Sequence, residues 1–213
     1  MTRIYVMVEG QTEEAFVTEL LAPHFAHTGR YLIPIIVSTS RGHKGGMVSY
    51  AKVRPQLQRK CKEDPTSRVT TMFDLYALPN DFPGHEAARH LPSGLEKARY
   101  LEAQLGLDIA LANFVPNIVV HEYEALLFSD PERFADWVAR KVVDELTDVR
   151  KHFATPEDIN DSPHTAPSKR IISAFPAYQK TFHGPLIACD IGLDTIRAAC
   201  PHFHAWLLAV EAL

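Results

Sequence analysis

Short apolar runs alternate with amphipathic helical stretches over the first 121 residues, and that alternation does most to narrow the fold. Ile4 to Val8 reads as a first strand. From about Thr12 to Phe25, Phe16 with Leu20 and Val17 with Leu21 recur at i, i+4, as on one face of a helix. Tyr31 to Ser38 predicts a second strand, with Pro34 favouring an edge position because it has no amide to give a neighbour. A glycine-rich loop, TSRGHKGGM, precedes a predicted helix over Val48 to Lys62, interrupted by Pro55, and then a third strand over Arg68 to Phe73. A helix near Gly94 to Leu105 leads to a fourth strand, Asn117 to His121. Strands joined through helices run parallel and are covered on both faces, so the expected fold is α/β with a mostly parallel sheet.

From Glu122 onward the pattern turns helical and loop-rich, with the polar stretch ATPEDINDSPHTAPSK and a final helix near Pro201 to Leu213. We expect a core over residues 1–130 and a helical extension over 131–213 packed on it as one compact unit, because no flexible linker separates them. At 213 residues and 46% hydrophobic content the chain can bury a large core. No apolar run approaches the roughly 20 residues that span a bilayer, and the N-terminus lacks a signal-peptide layout, so a cytoplasmic protein without a membrane partner is expected. Cys61, Cys189 and Cys200 are widely spaced and odd in number, which excludes a disulfide framework or a cysteine zinc site and leaves reduced thiols.

In open α/β sheets, ligands bind beyond the carboxyl ends of the strands. Those positions are acidic here. Glu9 follows the first strand, Asp74 the third and Glu122 the fourth, with Glu124 two residues on; Glu13 sits in the first turn after Glu9 and can point back to the same rim. Any one of these acids has an ordinary explanation: Glu13 and Glu14 complement a helix dipole, Gly10 supplies an unusual backbone angle, Asp74 makes a turn. Several carboxylates on one rim repel each other unless they are protonated or bridged by a cation, and oxygen donors suit Mg²⁺ or Mn²⁺.

The stretch VEGQTEE resembles the first motif of the toprim fold, the metal-binding domain of topoisomerases, primases and the overcoming-lysogenisation-defect nucleases. The pairing of Glu9 with Glu13 is similar to the nuclease branch. The second toprim motif, Asp-x-Asp, departs: Asp74 is followed by Leu75 and Tyr76. Over the whole chain VEGQTEE, TTMFDLYALPNDFPG, HEYEALLFSD, TAPSKRI and IGLDTIRAACPHFHAWL resemble a bacterial toprim-like family of unknown function. The resemblance implies a toprim-like (Rossmann-like) fold, Glu9, Asp74 and Glu122 or Glu124 as metal ligands, Glu122 and Glu124 standing in for the missing aspartate, and catalytic roles for Glu9, Glu13 and Asp74. It also implies a place beside a partner ATPase in mobile-element or phage-defence loci.

Net charge is −4, which excludes a general basic coat for nucleic acid but leaves room for a local site. Lys169 and Arg170 fall in the first turn of a predicted helix, where amides and cations together suit a phosphate; Lys44 in the glycine-rich loop is a further candidate, and Lys180 and Arg197 are weaker ones. The charges of a solvated helix start explain them equally well. Eleven histidines show no zinc spacing; His202 and His204 suit a core, while His121 abuts the acidic rim. These features point to a Mg²⁺- or Mn²⁺-dependent nuclease acting on nucleic acid. The alternatives are a non-catalytic adaptor or sensor subunit, and a hydrolase or transferase acting on a nucleotide or another small phosphorylated molecule. The homo-oligomeric state is not legible.

Overall fold

The computed structural model describes residues 1–40, 43–44, 47, 49–159 and 165–213. Strand β1 (Thr2–Val8) is followed by helix α1 (Gln11–Phe16), a π-helical turn (Val17–Leu21) and α2 (Ala22–Ala26). Strand β2 (Arg30–Ile36), the two-stranded β3 (Ser38–Ser40) and β4 (His43–Lys44), α3 (Tyr50–Glu63) and β5 (Arg68–Asp74) come next. Helices α4 (His85–Ala88) and α5 (Gly94–Ile109) precede the short strands β6 (Phe114–Val115) and β7 (Ile118–Val119). The remainder is helical: 3₁₀ turns over Tyr123–Ser129, Pro131–Phe134 and Pro156–Asp158, then α6 (Arg140–Lys151), α7 (Pro167–Ala174), α8 (Lys180–Ile191), α9 (Leu193–Ala199) and α10 (Pro201–Glu211).

The main sheet is parallel, in the order β2-β1-β5-β6, with β7 also paired to β5. Strand β1 lies inside it, and its alternation decides which layer each side chain meets. Ile4, Val6 and Val8 pack with Phe16, Leu127, Ile187 and Trp206; Met7 packs on the other face with Val53, Leu57, Phe73 and Leu101. Helices therefore cover both faces, as the strand–helix alternation predicts. Strand β2 is the edge, as Pro34 predicts.

Three expectations change. Pro55 lies inside α3 without ending it, because it sits on the exposed side of a helix whose buried side is Val53, Leu57 and Cys61; the carbonyl it leaves unpaired, on exposed Ala51, faces water. The second strand stops at Ile36, and Ser38–Ser40 turns away to pair with β4. The fourth strand is split: Pro116 has no amide for the ladder, and Thr71 takes over locally, accepting from the Asn117 amide at 2.9 Å and donating to its carbonyl at 2.6 Å.

Candidate functional site

Parallel strands deliver all their carboxyl ends to one rim, and here the rim is acidic. Val8 pairs with Met72 and Asp74 with Val119, so Glu9, Asp74 and the His121–Glu122 corner emerge side by side. The acids then lock the loops together through backbone amides. Glu9 Oε1 accepts from the Asp74 amide at 2.9 Å and its carboxylate also takes the Met47 amide; Asp74 Oδ1 accepts from Tyr123 at 3.0 Å; Glu122 Oε2 accepts from Ser168 at 2.9 Å. Glu13 folds back over Gly10. A Cβ on Gly10 would stand 3.3 Å from Glu13 Oε2, whereas the backbone there is extended (φ −156°), so close approach and not an unusual angle is what glycine serves.

Packing puts these acids out of water: Glu9, Glu13 and Glu122 are buried and Glu124 is 1% exposed. Burial, then the neighbouring Glu13 carboxylate, pushes Glu9 up to about 7, against the pull of the Asp74 and Met47 amides. Asp74 is held well above the usual carboxylate range by burial and then by Glu13, Glu9, Glu124 and Glu122. Glu13 is raised by burial although the amides of Glu13 and Gly10 and the Lys180 ammonium oppose it. Burial lifts Glu124 to about 7 despite Lys180. Among the described residues Lys180 is the cation that faces these acids, with its Nζ 3.2 Å from Glu124 Oε2. Burial disfavours its charge, but Glu124, Glu122 and Asp74 more than compensate and raise its pKa.

Among the described residues, Glu124 Oε1 is buried without a hydrogen-bond partner, as are the hydroxyls of Tyr123 and Tyr178. Among the described residues no three His, Cys, Asp or Glu side chains already stand around a common cation position. Instead, Glu9, Asp74 and Glu122 each turn an oxygen to an amide. His121 adopts φ +65° at the corner, and its imidazole lies against Gly94, where a Cβ would come within 2.4 Å of the ring.

The structure thus brings Glu9, Glu13, Asp74, Glu122 and Glu124 together. The basic candidates fare differently. The α7 amide expected to meet a phosphate is given to Glu122 by Ser168, exposed Lys169 makes no ion pair among the described residues, and Arg170 bonds to the Thr165 carbonyl and lies over Phe153. Arg197 pairs with Glu211 and donates to His204. The Lys44 side chain lies outside the described residues. His202 is a core histidine, against Glu102 at 2.9 Å and the Ile118 carbonyl at 3.2 Å. Sequence reasoning ranked Lys180 below Lys169 and Arg170. A signal was present: a lysine opening a helix opposes the macrodipole, a local cost that a tertiary partner must offset.

A family described as a domain of unknown function, DUF4276, matches residues 8–211. Two solved structures of the C-terminal region of the Xanthomonas campestris pv. campestris OLD protein align over 100% of this chain and 99% of theirs. The one phased with mercury is 14% identical with a TM-score of 0.42, and the one phased with iodine 15% identical with a TM-score of 0.35. No curated protein matches the chain.

Proposed function

The chain belongs to the DUF4276 family, and we propose that its carboxylate rim holds Mg²⁺ or Mn²⁺ and processes a phosphodiester, as a toprim-like nuclease working with a partner ATPase. One observation carries this reading: Asp74 is faced by Glu9, Glu13, Glu122 and Glu124, with Lys180 their one counter-charge among the described residues. So much negative charge in a buried rim is stable only with protons or a cation. The donor set fits a hard divalent ion. It is all oxygen, and Asp74 Oδ2, Glu122 Oε1 and Glu124 Oε1 take no hydrogen bond among the described residues.

Glu9, Asp74 and Glu122 or Glu124 would hold the ion. When bound, it supplies Lewis acidity toward a phosphate oxygen and toward water. The chain's own residues do the rest. The Asp74, Tyr123 and Ser168 amides each hold one oxygen of a carboxylate, and the side chains would have to draw their other oxygens together around an ion. Glu13, buried and raised, would take a proton from an attacking water. Lys180, partly exposed beside Glu124, is placed to meet a phosphate oxygen.

The test is a melting temperature with and without Mg²⁺ or Mn²⁺, run beside cleavage assays on DNA, RNA and nucleotides with and without the ATPase. A site at 100 times its Kd stabilises the fold by about 2.7 kcal/mol, and Glu9→Gln should lose most of that gain and the turnover with it. A wild-type melting temperature that ignores saturating metal sinks the reading. The Lys180–Glu124 pair favours a second one, a non-catalytic adaptor in which the ammonium is the rim's permanent counter-ion. Metal-independent melting together with intact partner binding by Glu9→Gln would select it.

A further inference from the structure

Beside the acidic rim, on the far side of the Leu75–Tyr76 strap, lies an open cleft of about 520 Å³ whose charged lining is basic: His85, Arg89 and Lys97, with Tyr76, Leu75 and Leu101. We propose that this cleft binds a nucleotide unit of the substrate, its phosphate on Lys97, His85 and Arg89 and its base against the Tyr76 ring.

The basic side chains arrive from different segments. His85 opens α4, Arg89 follows its end and Lys97 lies in the first turns of α5. Gly84 makes their approach possible: it has φ +78°, and a Cβ there would come within 2.6 Å of Gln104 on α5, so only glycine lets α4 sit this close. Like charges converging without a lining carboxylate are unfavourable unless an anion visits them. Arg89 reaches Glu86 only at 3.4 Å on the exposed surface. Lys97 is half-buried, and its ammonium has no ion pair or hydrogen bond among the described residues. Tyr76 is 46% exposed, an aromatic face at the mouth where a base stacks without sequence preference.

The cleft and the rim share a wall. Leu75 and Tyr76 directly follow Asp74, the Tyr76 amide donates to the His121 carbonyl at 3.0 Å, and the His121 ring rests on Gly94, one turn before Lys97. A strand whose phosphodiester reached the carboxylates would run its next nucleotide into this cleft. That continuity rests on the function proposed above; binding in the cleft does not require the metal.

The experiment therefore uses the full chain in EDTA at pH 6 and low salt, with fluorescence anisotropy of a labelled oligo-dT 12-mer and competition by dTMP. Lys97→Glu should weaken 12-mer binding at least tenfold and Tyr76→Leu several-fold, with melting temperatures unchanged. Lys97→Gln, which keeps the side-chain stem, should lower the slope of log affinity against log salt by about 0.7. Competition by dTMP at the affinity of the 12-mer assigns the cleft to free nucleotides, and much weaker competition assigns it to a strand; both support a nucleotide site. No binding by wild type, or binding indifferent to Lys97→Glu in a folded protein, overturns it. Loss of metal stabilisation with 12-mer binding intact would sink the metal reading alone.

Discussion

Replacing Glu9 with Gln keeps an acceptor for the Asp74 amide and removes one negative charge from the rim. Glu9 and Glu124 are raised from 4.5 to about 7 in the folded chain, so the fold favours their protonated forms. Their contribution to stability is complete below about 4.5 and is lost as pH rises through about 7. For Glu9 the shift corresponds to something on the order of 3 kcal/mol. In EDTA, wild type should lose stability between pH 5 and pH 8, and Glu9→Gln should flatten that fall and melt several degrees higher at pH 8. Parallel pH curves for the two proteins would count against the carboxylate cluster. Lys180→Ala should act in the opposite sense: without the ammonium the acids rise further, so its loss in melting temperature should be larger at pH 8 than at pH 5. A pH-independent loss would mean that Lys180 contributes through packing alone. The acids were legible because Glu9 and Asp74 stand at strand ends and Glu13, Glu122 and Glu124 follow within a few residues of one. Lys180 was not, since its nearness to Glu124 depends on α8 packing against the Tyr123–Ser129 turn, a contact between segments far apart in sequence.

At the scale of elements, the loops after β5 and β7 are held by close approaches that allow no added methyl group. Gly84→Ala combines a left-handed backbone with a Cβ 2.6 Å from Gln104 Cγ and 2.9 Å from the Tyr100 ring. It should destabilise by about 1–3 kcal/mol in urea unfolding and weaken 12-mer binding by moving His85, while Glu9-dependent metal stabilisation persists. Metal stabilisation lost in step with oligonucleotide binding would mean that the two sites are not separable. Helix and strand existence was readable from periodicity; their breaks were less so. Pro55 predicted an interruption and Pro116 was passed over, yet only Pro116 breaks its element. The difference is what each missing amide leaves behind: a carbonyl open to water on the exposed side of α3, against a gap in a ladder buried on both faces.

Across the whole molecule, β1 and the C-terminal helices share one apolar cluster: Ile4, Val6 and Val8 meet Ile187, Leu207 and Val210. Trp206 Nε1 donates to the buried Thr70 hydroxyl at 2.9 Å, tying α10 to β5, and Thr2 donates to the Leu213 carbonyl. A chain truncated after Asp130 would expose that sheet face, so it should fail to give a cooperative thermal transition, and the full chain should unfold in a single one. A folded 1–130 fragment, read by circular dichroism and melting, would show instead that residues 131–213 are dispensable. Sequence by itself determined the strand–helix alternation, hence a parallel sheet covered on both faces, and the acids that follow its strands, because periodicity and chain order are local properties. Only the tertiary structure decided that Ser168 serves Glu122 and that Lys180 is the counter-charge among the acids. It also decided that His85, Arg89 and Lys97 share a cleft beside the rim. Each depends on segments distant in the chain meeting once the core is packed, and the low polarity of that packed interior is what raises the carboxylates.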